Sequence, residues 1–63
     1  MYAIIKIDWQ NNVTWACCTP GPVDRWTFTN ALHRDVFGNL EEAKHWAQNL
    51  SQAEGETCYV VVL

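Results

Sequence analysis

The hydrophobic and polar positions of this chain alternate before they do anything else. Over residues 2–9, Ala3, Ile5, Ile7 and Trp9 fall on one side, and Tyr2, Ile4, Lys6 and Asp8 on the other. A period of two is the mark of a half-buried strand, and the set ending at Trp9 is expected to face inward. Gln10-Asn11-Asn12 supplies a turn, because Asn tolerates positive φ. Val13 to Cys18 then reads as the second arm of a hairpin. Thr19-Pro20-Gly21-Pro22-Val23-Asp24 is a loop, with two prolines and a glycine in six residues. Arg25 to Thr29 alternates again and predicts a third strand, with Trp26 and Phe28 opposed to Arg25, Thr27 and Thr29.

Residues 30–38 hold no period and read as a loop that tucks Leu32, Val36 and Phe37 inward. The period then changes. Leu40, Ala43, Trp46, Ala47 and Leu50 form one apolar stripe of an amphipathic helix. Asn39 followed by Glu42 is a variant of the capping box that opens such a helix. Glu41 and Glu42 sit in the first turn, where the helix dipole favours negative charge, and Gly55 is a natural stop. Residues 57–63 are apolar on both faces, which predicts a strand central in its sheet.

The order is β-β-β-α-β. It implies one α+β domain over residues 1–63, a small, mainly antiparallel four-stranded sheet with one amphipathic helix on one face. The first and last strands, being the most apolar, are expected side by side. One helix covers one face only. With Trp15 and Trp26 on the neighbouring strands, the second face is expected to be too apolar to stay wet. It should bind a partner or dimerise.

Four tryptophans in 63 residues sharpen that expectation, since Trp is over-represented among the residues that anchor interfaces. Trp46 and Trp9 are assigned to the core, and Trp15 and Trp26 to contact. At this length the core is thin. No apolar run approaches the roughly 20 residues of a membrane span. Met1-Tyr2-Ala3-Ile4-Ile5 runs straight into Lys6 and Asp8 without a secretory leader, so a cytoplasmic location is expected. Without such a leader the sequons at Asn12 and Asn49 carry no meaning.

Catalytic chemistry finds little footing. Cys17, Cys18 and Cys58 are an odd count with no C-x-x-C spacing, which argues for reduced thiols over a disulfide framework or a zinc site with His33 or His45. His45 reads as a solvated partner of Glu41, four residues earlier. His33-Arg34-Asp35 spells the opening of the kinase catalytic loop, but the Asn due seven residues after the His is not there, so the match is chance. No phosphate-binding, zinc-protease or nucleophile-elbow motif is present. The reading is a non-enzyme with no cofactor and no metal.

Four basic against seven acidic residues leave a net charge of −3, the wrong sign for gripping phosphates. Direct nucleic-acid binding is therefore not expected, though sheet aromatics do stack single-stranded bases in some folds. The opposite role is a decoy for a protein's basic channel. Its surface would use Glu41, Glu42, Glu54 and Glu56 around the helix, with Asp24 and Asp35 on the loops.

The opening Met1-Tyr2-Ala3-Ile4-Ile5-Lys6, the helix Asn39-Leu40-Glu41-Glu42-Ala43-Lys44-His45-Trp46-Ala47 and the closing Tyr59-Val60-Val61-Val62 strand resemble the plan of small acidic accessory proteins of phages and mobile elements, among them the anti-CRISPR inhibitors. The resemblance implies an inhibitor that occludes a bacterial defence or nucleic-acid-handling protein, such as a CRISPR–Cas component. It carries over no individual residue. Two classes stand side by side: an interaction module using Trp15 and Trp26 with acids on the rim, and a structural homodimer with those rings at its interface. A single-stranded nucleic-acid binder is the third alternative.

Overall fold

The computed structural model describes residues 1–30 and 33–63. Four strands and one helix follow in the expected order: β1 (Tyr2–Ile7), β2 (Val13–Thr19), β3 (Arg25–Thr29), α1 (Leu40–Glu54) and β4 (Cys58–Val62). They form one sheet in the order β3-β2-β1-β4, with every neighbouring pair antiparallel. The first and last strands are indeed adjacent.

The β1–β2 hairpin closes on Asp8. Its carboxylate accepts hydrogen bonds from the Gln10 and Asn12 N–H groups, both at 2.9 Å, and Asn11 takes φ 63°, a conformation Asn tolerates. Because β1 ends at Ile7, Trp9 belongs to this turn and is 89% exposed. Its expected place in the core is therefore corrected: the strand stops before the alternation does.

The sidedness of β1 is also the reverse of the expectation. Ile4, not Ile5, meets the core of Ala16, Phe37, Ala43, Ala47, Leu50 and Cys58. Tyr2, Trp26, Phe28, Trp46 and Val60 pack against that core. Registry forces this choice. Ala16 pairs with Phe28 and Cys18 with Trp26, so the two β3 rings share the face of Ala16. That face is the one covered by α1, which packs on β4 and β1.

β4 lies at an edge, which corrects its expected central position. Its apolar residues on both sides reflect one face under the helix and one face left open, not strands on both flanks.

β2 pairs with β1 only from Val13 to Trp15. Beyond that point the two strands diverge and residues 35–37 fill the gap. Tyr2 and Phe37 exchange backbone hydrogen bonds, both at 2.8 Å, and the Asp35 N–H donates to the Ala16 carbonyl at 3.0 Å. The Cys18 N–H donates to Asp35 Oδ2 at 2.9 Å. Phe37 is buried as expected, whereas Val36 is 46% exposed and corrects its inward assignment. Leu32 lies outside the described residues.

The helix is held at both ends. Asn39 Oδ1 accepts from the Glu41 and Glu42 N–H groups, which fills two of the four donors a helix start leaves open. Gly55 ends it at φ 69°, left-handed backbone that glycine adopts without a steric penalty. Ala43, Ala47 and Leu50 are buried, Trp46 is half-buried, and Leu40 at the tip is 37% exposed.

Candidate interaction surface

Since α1 covers one side of the sheet, the other side is built from the alternate residues of each strand. The registers join four of them in one row across the sheet: Thr29 beside Trp15, Trp15 beside Ile5, and Ile5 beside Tyr59. Ile7 and Val13 pair next to that row, and Ala3 pairs with Val61 on its other side. Tyr59 is 49%, Val13 44% and Ile7 41% exposed. Trp15, Ile5 and Val61 are half-buried. The Arg34 guanidinium stands over the Trp15 ring, 4.5 Å from its centroid, a cation–π arrangement. The result is an apolar strip with a polar border of Arg25, Thr27 and Thr29 on the β3 side.

Trp15 therefore lies where the sequence places it, and Trp26 does not. The Trp26 indole turns toward the helix, with ring centroids 5.2 Å from Trp46 and 6.3 Å from Phe37. Its assignment to the open face is corrected to a core contact. Its Nε1–H is buried with no hydrogen-bond partner among the described residues. The pairing of Cys18 with Trp26 puts these side chains on the face opposite Trp15, a parity that could be counted only once the register was known.

The six acids expected on the rim are dispersed. Glu54 accepts from Lys6 Nζ at 2.8 Å and Glu56 lies 3.9 Å from the same nitrogen. That ammonium also stands 4.5 Å from the Phe28 centroid on the helix side. The hydrogen bond to Glu54 raises the Lys6 pKa above its ordinary 10.5, against a smaller opposing effect of burial. Glu41 approaches Lys44 at 3.9 Å, and Glu42 is exposed in the first helical turn. Asp35 is a half-buried backbone acceptor, and Asp24 is exposed in the loop before β3. The four glutamates thus belong to the helix side of the sheet and do not frame Trp15.

The three cysteines are free thiols. Cys17 belongs to the open face and Cys18 to the helix side, as opposite strand parity requires. Cys58 is buried, and that burial pushes its pKa up, with the Ser51 hydroxyl and Lys6 pulling the other way. Burial likewise raises Cys18, aided by Asp24 and Asp35. Thiols shifted upward carry less thiolate and react slowly. No group of three or more His, Cys, Asp or Glu among the described residues is placed to hold a metal ion. His45 Nε2 lies 3.2 Å from Asn49 Nδ2, and the ring packs edge-on to Trp46. Its contact is with Asn49 rather than the Glu41 expected, because Glu41 turns to Lys44.

Sequence reasoning missed Tyr59, Ile5 and Arg34. The first two needed the β1–β4 register. Arg34 needed the insertion of residues 35–37 between β1 and β2, which no local pattern signals.

Among the described residues no pocket is formed. No helix there is long and apolar enough to cross a membrane. Comparison of the chain with protein families, curated proteins and solved structures finds no match.

Proposed function

We propose that this chain is a non-enzymatic protein-interaction module that engages its partner through the sheet face opposite the helix. One observation carries the reading: the row Trp15–Ile5–Tyr59, with Ile7 and Val13 beside it, lies on the face opposite the helix, where Tyr59, Val13 and Ile7 are exposed. A small domain gains nothing in stability by leaving Tyr59, Ile7 and Val13 exposed together on one sheet face. Contiguous exposed apolar surface of this kind marks interaction sites. The likeness in plan to small phage accessory proteins supplies the target class, a bacterial defence or nucleic-acid-handling protein whose working surface would be occluded. A cytoplasmic site of action goes with that target.

The test compares Trp15→Ser with Glu41→Gln/Glu42→Gln in capture from bacterial lysate, followed by affinity measurement with the purified partner. Loss of an interface tryptophan costs on the order of 2 kcal/mol or more, about thirtyfold in affinity. That weakening is expected for Trp15→Ser alone. Equal binding by both variants would remove the open face from the interaction.

A second reading has its own observation. Two of the four basic residues lie on this side of the sheet, Arg34 over the Trp15 ring and Arg25 on the β3 edge, the pairing of rings and cations that stacks single-stranded nucleic acid. Titration with an oligothymidylate, read by tryptophan fluorescence, decides between them. The net charge of −3 favours the protein partner.

A further inference from the structure

The outer edge of β4 carries backbone hydrogen-bonding groups that take no backbone partner among the described residues. The Leu63 N–H donates to the Met1 carbonyl at 2.9 Å. Bonded and non-bonded pairs alternate along an antiparallel ladder, so Val61 with Ala3 and Tyr59 with Ile5 are the bonded pairs toward β1. The N–H and C=O groups of Val60 and Val62 consequently point outward, together with the Cys58 carbonyl. The Cys58 N–H is already engaged, donating to Ser51 Oγ at 2.8 Å. The strand reads Cys-Tyr-Val-Val-Val, without the lysine, proline or inward charge by which natural edges discourage pairing. Val62 is 77% exposed.

We infer that β4 is a self-association edge: a second copy of the chain adds its own β4, antiparallel, about a two-fold axis through Val60, giving a continuous eight-stranded sheet. The edge is complementary to itself. Val60 facing the same residue of the second copy makes two reciprocal backbone hydrogen bonds. The Val62 N–H meets the Cys58 carbonyl of the copy, twice by symmetry. On the open face Tyr59 falls opposite Val61, an aromatic against a β-branched residue, which is a favourable cross-strand pair. Within the paired strands like charges do not meet, because β4 is uncharged and the nearby Glu54 and Glu56 are engaged by Lys6.

The helix position fits the same assembly. Strands stand about 4.8 Å apart and α1 straddles β4 and β1, which puts the two helix axes roughly 10 Å from each other across the two-fold. Packed helices stand about 8–10 Å apart. At 100° per residue, Leu40, Lys44, Gln48 and Ser51 share the flank turned toward the β4 edge. The second copy therefore gains helix contact as well as strand pairing, which a lone extended peptide would not provide. The open faces of the two copies end up side by side in one surface. This edge is independent of the face assigned to the partner.

Sedimentation equilibrium over a concentration series, with hydrogen exchange at its two ends, tests the inference. The wild-type chain should reach twice its 7.3 kDa mass, with the Val60 and Val62 amides slowed only where the dimer is populated. Val62→Lys should stay monomeric with an unchanged circular dichroism spectrum. Val60→Pro should do the same, because its N–H takes no part in the β1 ladder and proline is tolerated at such edge positions. If that variant fails to fold, Val62→Lys carries the test alone. Trp15→Ser should keep the dimer, which separates this result from the partner-binding one. A wild-type mass of 7.3 kDa throughout, or a Val62→Lys dimer with both valine amides exchanging fast, would overturn the inference.

Discussion

Trp26 lies against Trp46, ring centroids 5.2 Å apart and planes tilted by 38°. This contact joins β3 to a helix that otherwise packs on β4 and β1. It settles which face of the sheet is closed, and so leaves Trp15 on the other. Two tryptophans eleven residues apart thereby have opposite consequences when removed.

Trp26→Ser should cost roughly 3 kcal/mol, the lower end for deleting a large buried aromatic, since the side chain is half-buried. Trp15→Ser should cost clearly less. Urea unfolding followed by far-ultraviolet circular dichroism measures both. Trp26→Phe should keep the fold, because the Nε1–H it removes has no partner to lose among the described residues. Equal losses at positions 15 and 26 would mean that Trp15 is structural.

The turn from α1 into β4 hangs on one hydroxyl. Ser51 Oγ donates to the Ala47 carbonyl at 2.7 Å and accepts from the Cys58 N–H at 2.8 Å. Ser51→Ala would leave a part-buried backbone donor unmet, at a cost of about 1–3 kcal/mol. The Cys58 amide should then exchange faster than its neighbours in β4. Exchange unchanged from the wild type would show that the hydroxyl is dispensable.

The helix start offers a smaller, cleaner effect. Asn39→Ala removes the acceptor for two N–H groups and should cost about 1 kcal/mol. Asn39→Asp should restore it, as the carboxylate also suits the positive end of the helix dipole. Thermal unfolding of the three proteins at low salt gives the comparison.

Stability should fall on the alkaline side. Lys6 has its pKa raised by Glu54, so the folded state holds that proton more tightly than the unfolded chain does. Its contribution is complete below 10.5 and is lost as pH climbs through the higher folded value. The raised Cys58 thiol acts in the same sense from about its ordinary 9.0 upward. Asp8 works at the other end. Its pKa is lowered, chiefly by the backbone hydrogen bond from Asn12, so its support is present above 3.8 and fades as pH falls through the folded value. A urea midpoint that drops between pH 9 and 11 in the wild type, and less steeply in Lys6→Met, is the expected pattern.

The five elements were legible because each follows one local rule. The alternation of Arg25 to Thr29 and the stripe from Ala43 to Leu50 needed no tertiary information. Sidedness was another matter. Ile4 and Ile5 are the same residue on opposite faces, and only the register through Ala16 and Phe28 decides which is inside. The Tyr2–Phe37 exchange depends on β1 and β2 diverging after Trp15, a property of the pair rather than of either strand. Trp9 was misplaced because the Asp8 turn interrupts a pattern that continues in the sequence. The acids scattered for a similar reason: Glu54 and Glu56 answer Lys6, a residue roughly fifty positions away.

The open face is the proposed working surface. Its most direct measurement is the affinity of the purified partner for Val13→Lys, which places a charge at an open-face position 44% exposed in the wild type without touching the core. An unfolding midpoint close to wild type and binding weakened by about thirtyfold or more are expected. Undiminished binding by a folded Val13→Lys chain would contradict that role for the face.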